Sequence, residues 1–217
     1  VYVQLFKDNA VFVATDANRL VKVERTDVQP GLETNFILPK KALNLLKSNL
    51  PQDESATQVD FNDSNAFFTF GDVSLICRLI DERYPDYQAV IPEENPNRLT
   101  INRTEFLNSI KRSSIYGNKT TNQVNVKITG SELTIHAEDI DLSNEAVERL
   151  GCDYTGQDME IGFNARLLIE MLQNLSTSDI IIELSSPSRA GIILPSENVE
   201  NENLLMLLMP MMIAGNA

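Results

Sequence analysis

One unit recurs along this chain: a short apolar strand, a helix with one apolar stripe, then alternating strands. Asn35, Phe36, Ile37 and Leu38 read as such a strand, and Pro39 suits the first helical turn, where a missing N–H costs nothing. Ala42, Leu43, Leu46 and Leu50 follow at helical spacing and Pro51 stops the helix. Strands are expected over 57–61, 66–70 and 74–80. The unit returns roughly 60 residues later. There a strand over 98–101 leads into Asn102 as N-cap and a stripe of Phe106, Leu107 and Ile110. Strands are expected near 122–128, 132–138 and 144–154. It returns again with a strand over 159–163, Asn164 as cap, and Leu167, Leu168, Met171, Leu172 and Leu175 as stripe. Strands over 180–184, 190–194 and 204–209 close it.

A helix with one apolar stripe must bury that stripe against a partner layer. The expected fold is therefore α+β, a duplicated strand–helix–strand module with two modules per domain. The polar, proline-rich segment from Pro92 to Asn97 marks a boundary, giving domains over 1–95 and 96–217. The chain opens on a hairpin pattern, Val1, Val3 and Leu5 against Val11 and Val13, with a further strand over 21–24. No strand–helix pair precedes it, so the first domain reads as lacking its start.

No segment approaches the roughly 18 apolar residues of a membrane helix; the run 204–213 is broken by Pro210. The N-terminus does not resemble a signal peptide. Cys77 and Cys152 stand in no metal-like spacing and suit a reducing, cytoplasmic setting as small core residues.

The net charge of −13 argues at first against a nucleic-acid partner. Its distribution argues otherwise. Segments 39–51, 102–119 and 164–176 carry Lys40, Lys41, Lys47, Arg103, Lys111, Arg112, Lys119 and Arg166 against only Glu105 and Glu170. Cations gather on helices and acids on strands and loops. Were the helices to share a face, that face would attract phosphate without reading sequence.

Catalytic signals are weak. His136, the single histidine, sits in an alternating strand with no nucleophile beside it in the sequence. Gly117-Asn118-Lys119-Thr120 echoes a phosphate loop, but position 112, where its first glycine belongs, is Arg. The acids Glu138, Asp139, Asp141, Glu145 and Glu148 leave open a metal-dependent phosphodiesterase, though a solvated strand edge fits them better. No catalytic residue, metal ligand or cofactor is expected.

Several stretches together resemble the bacterial sliding clamp, the β subunit of DNA polymerase III. Val13 to Leu20 (VATDANRL) is similar to the family's A-T-D turn, Leu79 to Tyr87 (LIDERYPDY) to its L-I-D block, and Met209-Pro210-Met211 to its ending. Met159 to Asn164 and Phe36 to Lys41 match further blocks. The resemblance implies a ring built of two-module domains, closed head to tail as a homodimer when full length, with sheets outside and helices lining the DNA side. This chain would hold most of the middle domain and the C-terminal one. It further implies a peptide-binding pocket formed by Thr15, Ala17, Asn18, Arg19, Leu20, Pro85, Asp86, Val90, Leu207, Leu208, Met209, Pro210 and Met211. Short linear motifs of the replicative polymerase, the clamp loader and repair or translesion proteins would dock there. Lys40, Lys41, Lys47, Arg103, Lys111, Arg112 and Arg166 would face double-stranded DNA. The chain departs from the family at Ala17 and Asn18, where many clamps carry Gly and His, at Ala89 and Thr121, and in the tail after Met211. A peptide-binding scaffold with no DNA role is the other reading.

Overall fold

The computed structural model describes residues 1–51, 53 and 55–213. Its contacts divide the chain into two units, Val1–Thr15 with Lys22–Asp86, and Asp16–Val21 with Tyr87 onward.

In the first unit, β1 (Tyr2–Leu5) pairs antiparallel with β2 (Ala10–Thr15) on one side and β4 (Thr34–Ile37) on the other. Strand β3 (Arg19–Arg25) begins in the second unit and ends in the first. Helix α1 (Lys40–Asn49) follows β4, and β5 (Gln58–Phe61), β6 (Asn65–Phe70) and β7 (Val73–Arg78) form a three-stranded sheet. Pro39 stands one position earlier than expected. It is the residue before the helix, with an extended backbone (φ −72°, ψ 142°), and its carbonyl accepts the N–H groups of Ala42 and Leu43. The stripe residues Ala42 and Leu46 are buried with Val3, Leu38, Phe68 and Phe70.

The second unit shows the duplication in full. One module runs β8 (Asn97–Asn102), α2 (Arg103–Ser113), β9 (Gln123–Thr129), β10 (Glu132–Asp139) and β11 (Asn144–Gly151), with a short β12 (Asp153–Thr155). The other runs β13 (Met159–Asn164), α3 (Ala165–Gln173), β14 (Asp179–Leu184), β15 (Gly191–Pro195) and β16 (Glu202–Leu208). The modules exchange their opening strands: β13 pairs with β9, and β8 pairs with β14. The same wiring appears in the first unit, where β4 pairs with β1. Each sheet is thus completed from a second stretch of chain, which is why the modules come in pairs.

Both expected asparagine caps form. Asn102 accepts from the Glu105 N–H at 3.1 Å, and Asn164 from the N–H groups of Arg166 and Leu167 at 3.0 and 3.2 Å. Helices α2 and α3 pack against each other, with Phe106, Ile110, Leu168 and Leu172 in the core. The single strand expected over 144–154 is two. The chain leaves the β10 edge at Cys152, whose N–H is drawn to Ser131 O, and re-pairs as β12 with β8 in the other sheet. Alternation persists across the break, so the pattern of apolar residues does not reveal it. Among the described residues, no helix is long and apolar enough to cross a membrane.

Candidate functional site

The Asp16–Leu20 turn is organised by one carboxylate. Asp16 accepts the N–H groups of Asn18 and Arg19 at 3.2 and 3.1 Å, an Asx-type turn. Arg19 spans two acids, donating from Nε to Asp16 at 3.0 Å and from Nη1 to Glu170 on α3 at 2.6 Å. These bonds, that to Glu170 foremost, raise the guanidinium above its ordinary value. The carbonyl of Asn18 accepts the Met209 N–H at 2.8 Å, so the turn and the Met209-Pro210-Met211 segment lie side by side within the second unit. Glu170 escapes a reading of the sequence because 151 residues separate it from Arg19.

The other residues expected at this site sort by exposure. Ala17, Asn18, Val90 and Met209 are exposed, Arg19, Pro210 and Met211 half-buried, and Leu20, Leu207 and Leu208 buried. Leu208 belongs to the main core, so the last two leucines of β16 support the surface from beneath. Val90 and Met209 line one open groove of about 630 Å³, with Ala89, Pro92, Glu93 and Arg189. Thr15, Pro85 and Asp86 are exposed on the first unit. There Tyr84 stacks on Tyr2 with ring centroids 4.6 Å apart and donates to Val13 O at 3.2 Å, fixing the segment that leads to Pro85.

Ala17 has φ 74°, in the left-handed region, where a Cβ crowds the following carbonyl. Ala17→Gly is expected to raise stability by about 0.5–1 kcal/mol, relief of the crowding outweighing the added freedom of the unfolded chain. A urea titration of both proteins measures it.

The helix cations do not behave alike. Lys40, Lys41, Lys47, Lys111 and Arg166 are exposed. Arg103 is half-buried instead, donating from Nε to Thr177 O at 2.8 Å and from Nη1 to Leu172 O at 3.3 Å. It satisfies carbonyls at and beyond the end of α3, a structural task that the exposed helix cations do not share. Arg112 forms a bidentate pair with Glu148 at 2.7 and 2.6 Å, and Ser109 donates to the same carboxylate. Arg112 holds the Glu148 carboxyl below its ordinary value. Its charge is therefore shared with a neighbour, unlike that of the lysines.

The acidic run does not converge. Glu148 is taken by Arg112, Glu145 lies 3.1 Å from His136, and buried Asp139 accepts from the Leu142 N–H. Among the described residues, no group of three acids, histidines or cysteines is placed to hold a metal.

Beyond Pro210 the chain lies against β13. The Met211 N–H donates to Gly162 O at 2.8 Å, and Gln123 Nε2 donates to Met212 O at 3.3 Å. Of the tail whose length and charge depart from the resembled family, residues 214–217 lie outside the described residues.

The paired modules and exchanged strands are those of the DNA-clamp fold. Residues 1–86 match the DNA polymerase III beta subunit central domain and residues 88–212 its C-terminal domain. The beta sliding clamp of Synechococcus elongatus is 28% identical over 214 residues, 95% of this chain and 56% of that protein. That of Proteus mirabilis is 30% identical over 202 residues, 92% of this chain and 53% of that protein. The Bartonella birtlesii sliding clamp, solved bound to griselimycin, superimposes with a TM-score of 0.90 at 28% identity, covering 98% of this chain and 58% of that one. A Pseudomonas aeruginosa clamp shares the fold with a TM-score of 0.92 at 22% identity, covering 98% and 57%. The chain belongs to the DNA polymerase III beta subunit family. It spans about half the length of the curated relatives it matches.

Proposed function

We propose that this chain supplies the middle and C-terminal domains of a cytoplasmic, non-catalytic processivity clamp that encircles duplex DNA and tethers replication and repair proteins by short linear motifs. The observation that carries this reading is the match of both domain families, in order, along nearly the whole chain. The exposed side-chain cations of Lys40, Lys41, Lys47, Lys111 and Arg166 have no hydrogen-bond or ion-pair partner among the described residues, so they are free to exchange counterions for phosphates. Such contacts carry no sequence information, which suits a protein that must slide. The groove beside Val90 and Met209 suits an apolar anchor of a bound motif, with Arg19 and the turn amides fixing its direction. Ring closure is supported by the outer edge of β11, the last strand of its sheet among the described residues, with exposed Val147 on that strand and exposed Ile140 and Leu142 in the turn that leads into it.

The test uses the full-length subunit with the five cations changed to Ala. Each lost phosphate contact lowers the slope of log K against log salt by about 0.9, and processive synthesis should shorten accordingly. An unchanged slope and unchanged retention on circular DNA would favour the scaffold without a DNA role.

A further inference from the structure

Gly162 lies in the middle of β13, between the buried side chains of Ile161 and Phe163. Its backbone is not in the left-handed region, so the dihedral angles do not require glycine. Space requires it. A Cβ at this position would lie 2.7 Å from the Met211 carbonyl oxygen, 3.0 Å from Gln123 Nε2 and 3.3 Å from Ile213 Cγ1. The first of these is backbone and cannot rotate away. Strand β13 cannot yield either, because Ile161 and Phe163 anchor it in the core and β9 pairs along its full length. The tail is the part that must move.

We infer that Gly162 is a positioning residue: its missing side chain is the seat of Met211, and that seat sets the affinity of the groove for a peptide. This inference rests on the peptide-docking reading above. Three bonds fix the tail at successive points. The Met209 N–H is held by Asn18 O, the Met211 N–H by Gly162 O, and the Met212 carbonyl by Gln123. Met209 lines the groove, and two residues further on Gly162 provides the next anchor. Adding one methyl group at Gly162 breaks the middle anchor while leaving every groove side chain unaltered in identity. A recognition surface held loosely loses affinity even when all its groups remain present.

The test compares wild type and Gly162→Ala, each as the complete chain and as a chain ending at Pro210. Peptide affinity is measured by calorimetry with a Gln-x-x-Leu-Phe-type peptide, and amide exchange is followed at Met211 in the complete chains. Expected results are loss of Met211 amide protection and about tenfold weaker binding in Gly162→Ala. Gly162→Ala should lower the Tm of the complete chain but leave that of the shortened chain unchanged, because the shortened chain lacks the carbonyl that the new methyl group meets. Equal destabilisation in both lengths would show that the methyl group disturbs the core instead, and would overturn the inference. Retained Met211 protection, or unchanged affinity, would overturn it too. Absence of peptide binding by the wild type would remove the docking reading, while the exchange and Tm comparisons would still decide whether Gly162 seats the tail.

Discussion

Phe106→Ala is expected to cost the second unit about 3–5 kcal/mol, the range for emptying a buried aromatic site. Phe106 is 1% exposed and lies on α2 among Leu99, Val126, Ile161 and Leu168, where both modules meet. Its ring fills the space between the helix layer and the sheets, so the surrounding side chains cannot close the gap without moving β strands paired on both sides. Domains of this size hold only about 5–15 kcal/mol in total, so the loss is a large share of the whole. Urea unfolding followed by a probe in the second unit measures it. Leu45→Ala, on the exposed side of α1, serves as the comparison and should change stability by less than about 0.5 kcal/mol. A Phe106→Ala cost near that of the surface change would mean that the duplicated module does not bury its stripe as described.

That core was legible in the sequence because burial leaves a period. Phe106, Leu107 and Ile110 announce a helix face, and Leu167, Leu168, Met171 and Leu172 announce its repeat. Asn102 and Asn164 announced the helix starts for an equally local reason, since a cap bonds within three residues of itself. What the sequence hides is long-range. Glu170 gives no sign that it meets Arg19, and Thr177 none that its carbonyl holds Arg103. Arg103 therefore looked like one more helix cation until its partners were visible, and the same holds for Arg112 and Glu148. The break at Cys152 is hidden for a different reason. A strand that changes sheets keeps its alternation while changing its hydrogen-bond partner, and only the second of these is structural information.

The groove beside the Arg19 turn invites the sharpest functional prediction, because its key side chain carries little of the fold. Val90 is 52% exposed at the end of a short 3-10 turn, Gln88–Val90, so replacing it removes almost no core packing. Val90→Asp should leave Tm within about 2 °C of wild type, as surface changes do. For a bound motif the consequence differs. An apolar anchor seated against Val90 and Met209 would press on a carboxylate that it must desolvate without offering a partner, a penalty of several kcal/mol. Glu93 and Glu94 line the same groove against a single cation, Arg189, so the added charge would widen the excess of acids there. Peptide affinity should fall by about 100-fold or more, the equivalent of roughly 2.7 kcal/mol. Val90→Ile, which keeps the surface apolar, should stay within about threefold of wild type. Calorimetry on the three proteins separates the cases. Wild-type affinity in Val90→Asp would place the docking surface elsewhere on the molecule, whereas equal loss in Val90→Asp and Val90→Ile would show that shape rather than polarity governs the contact.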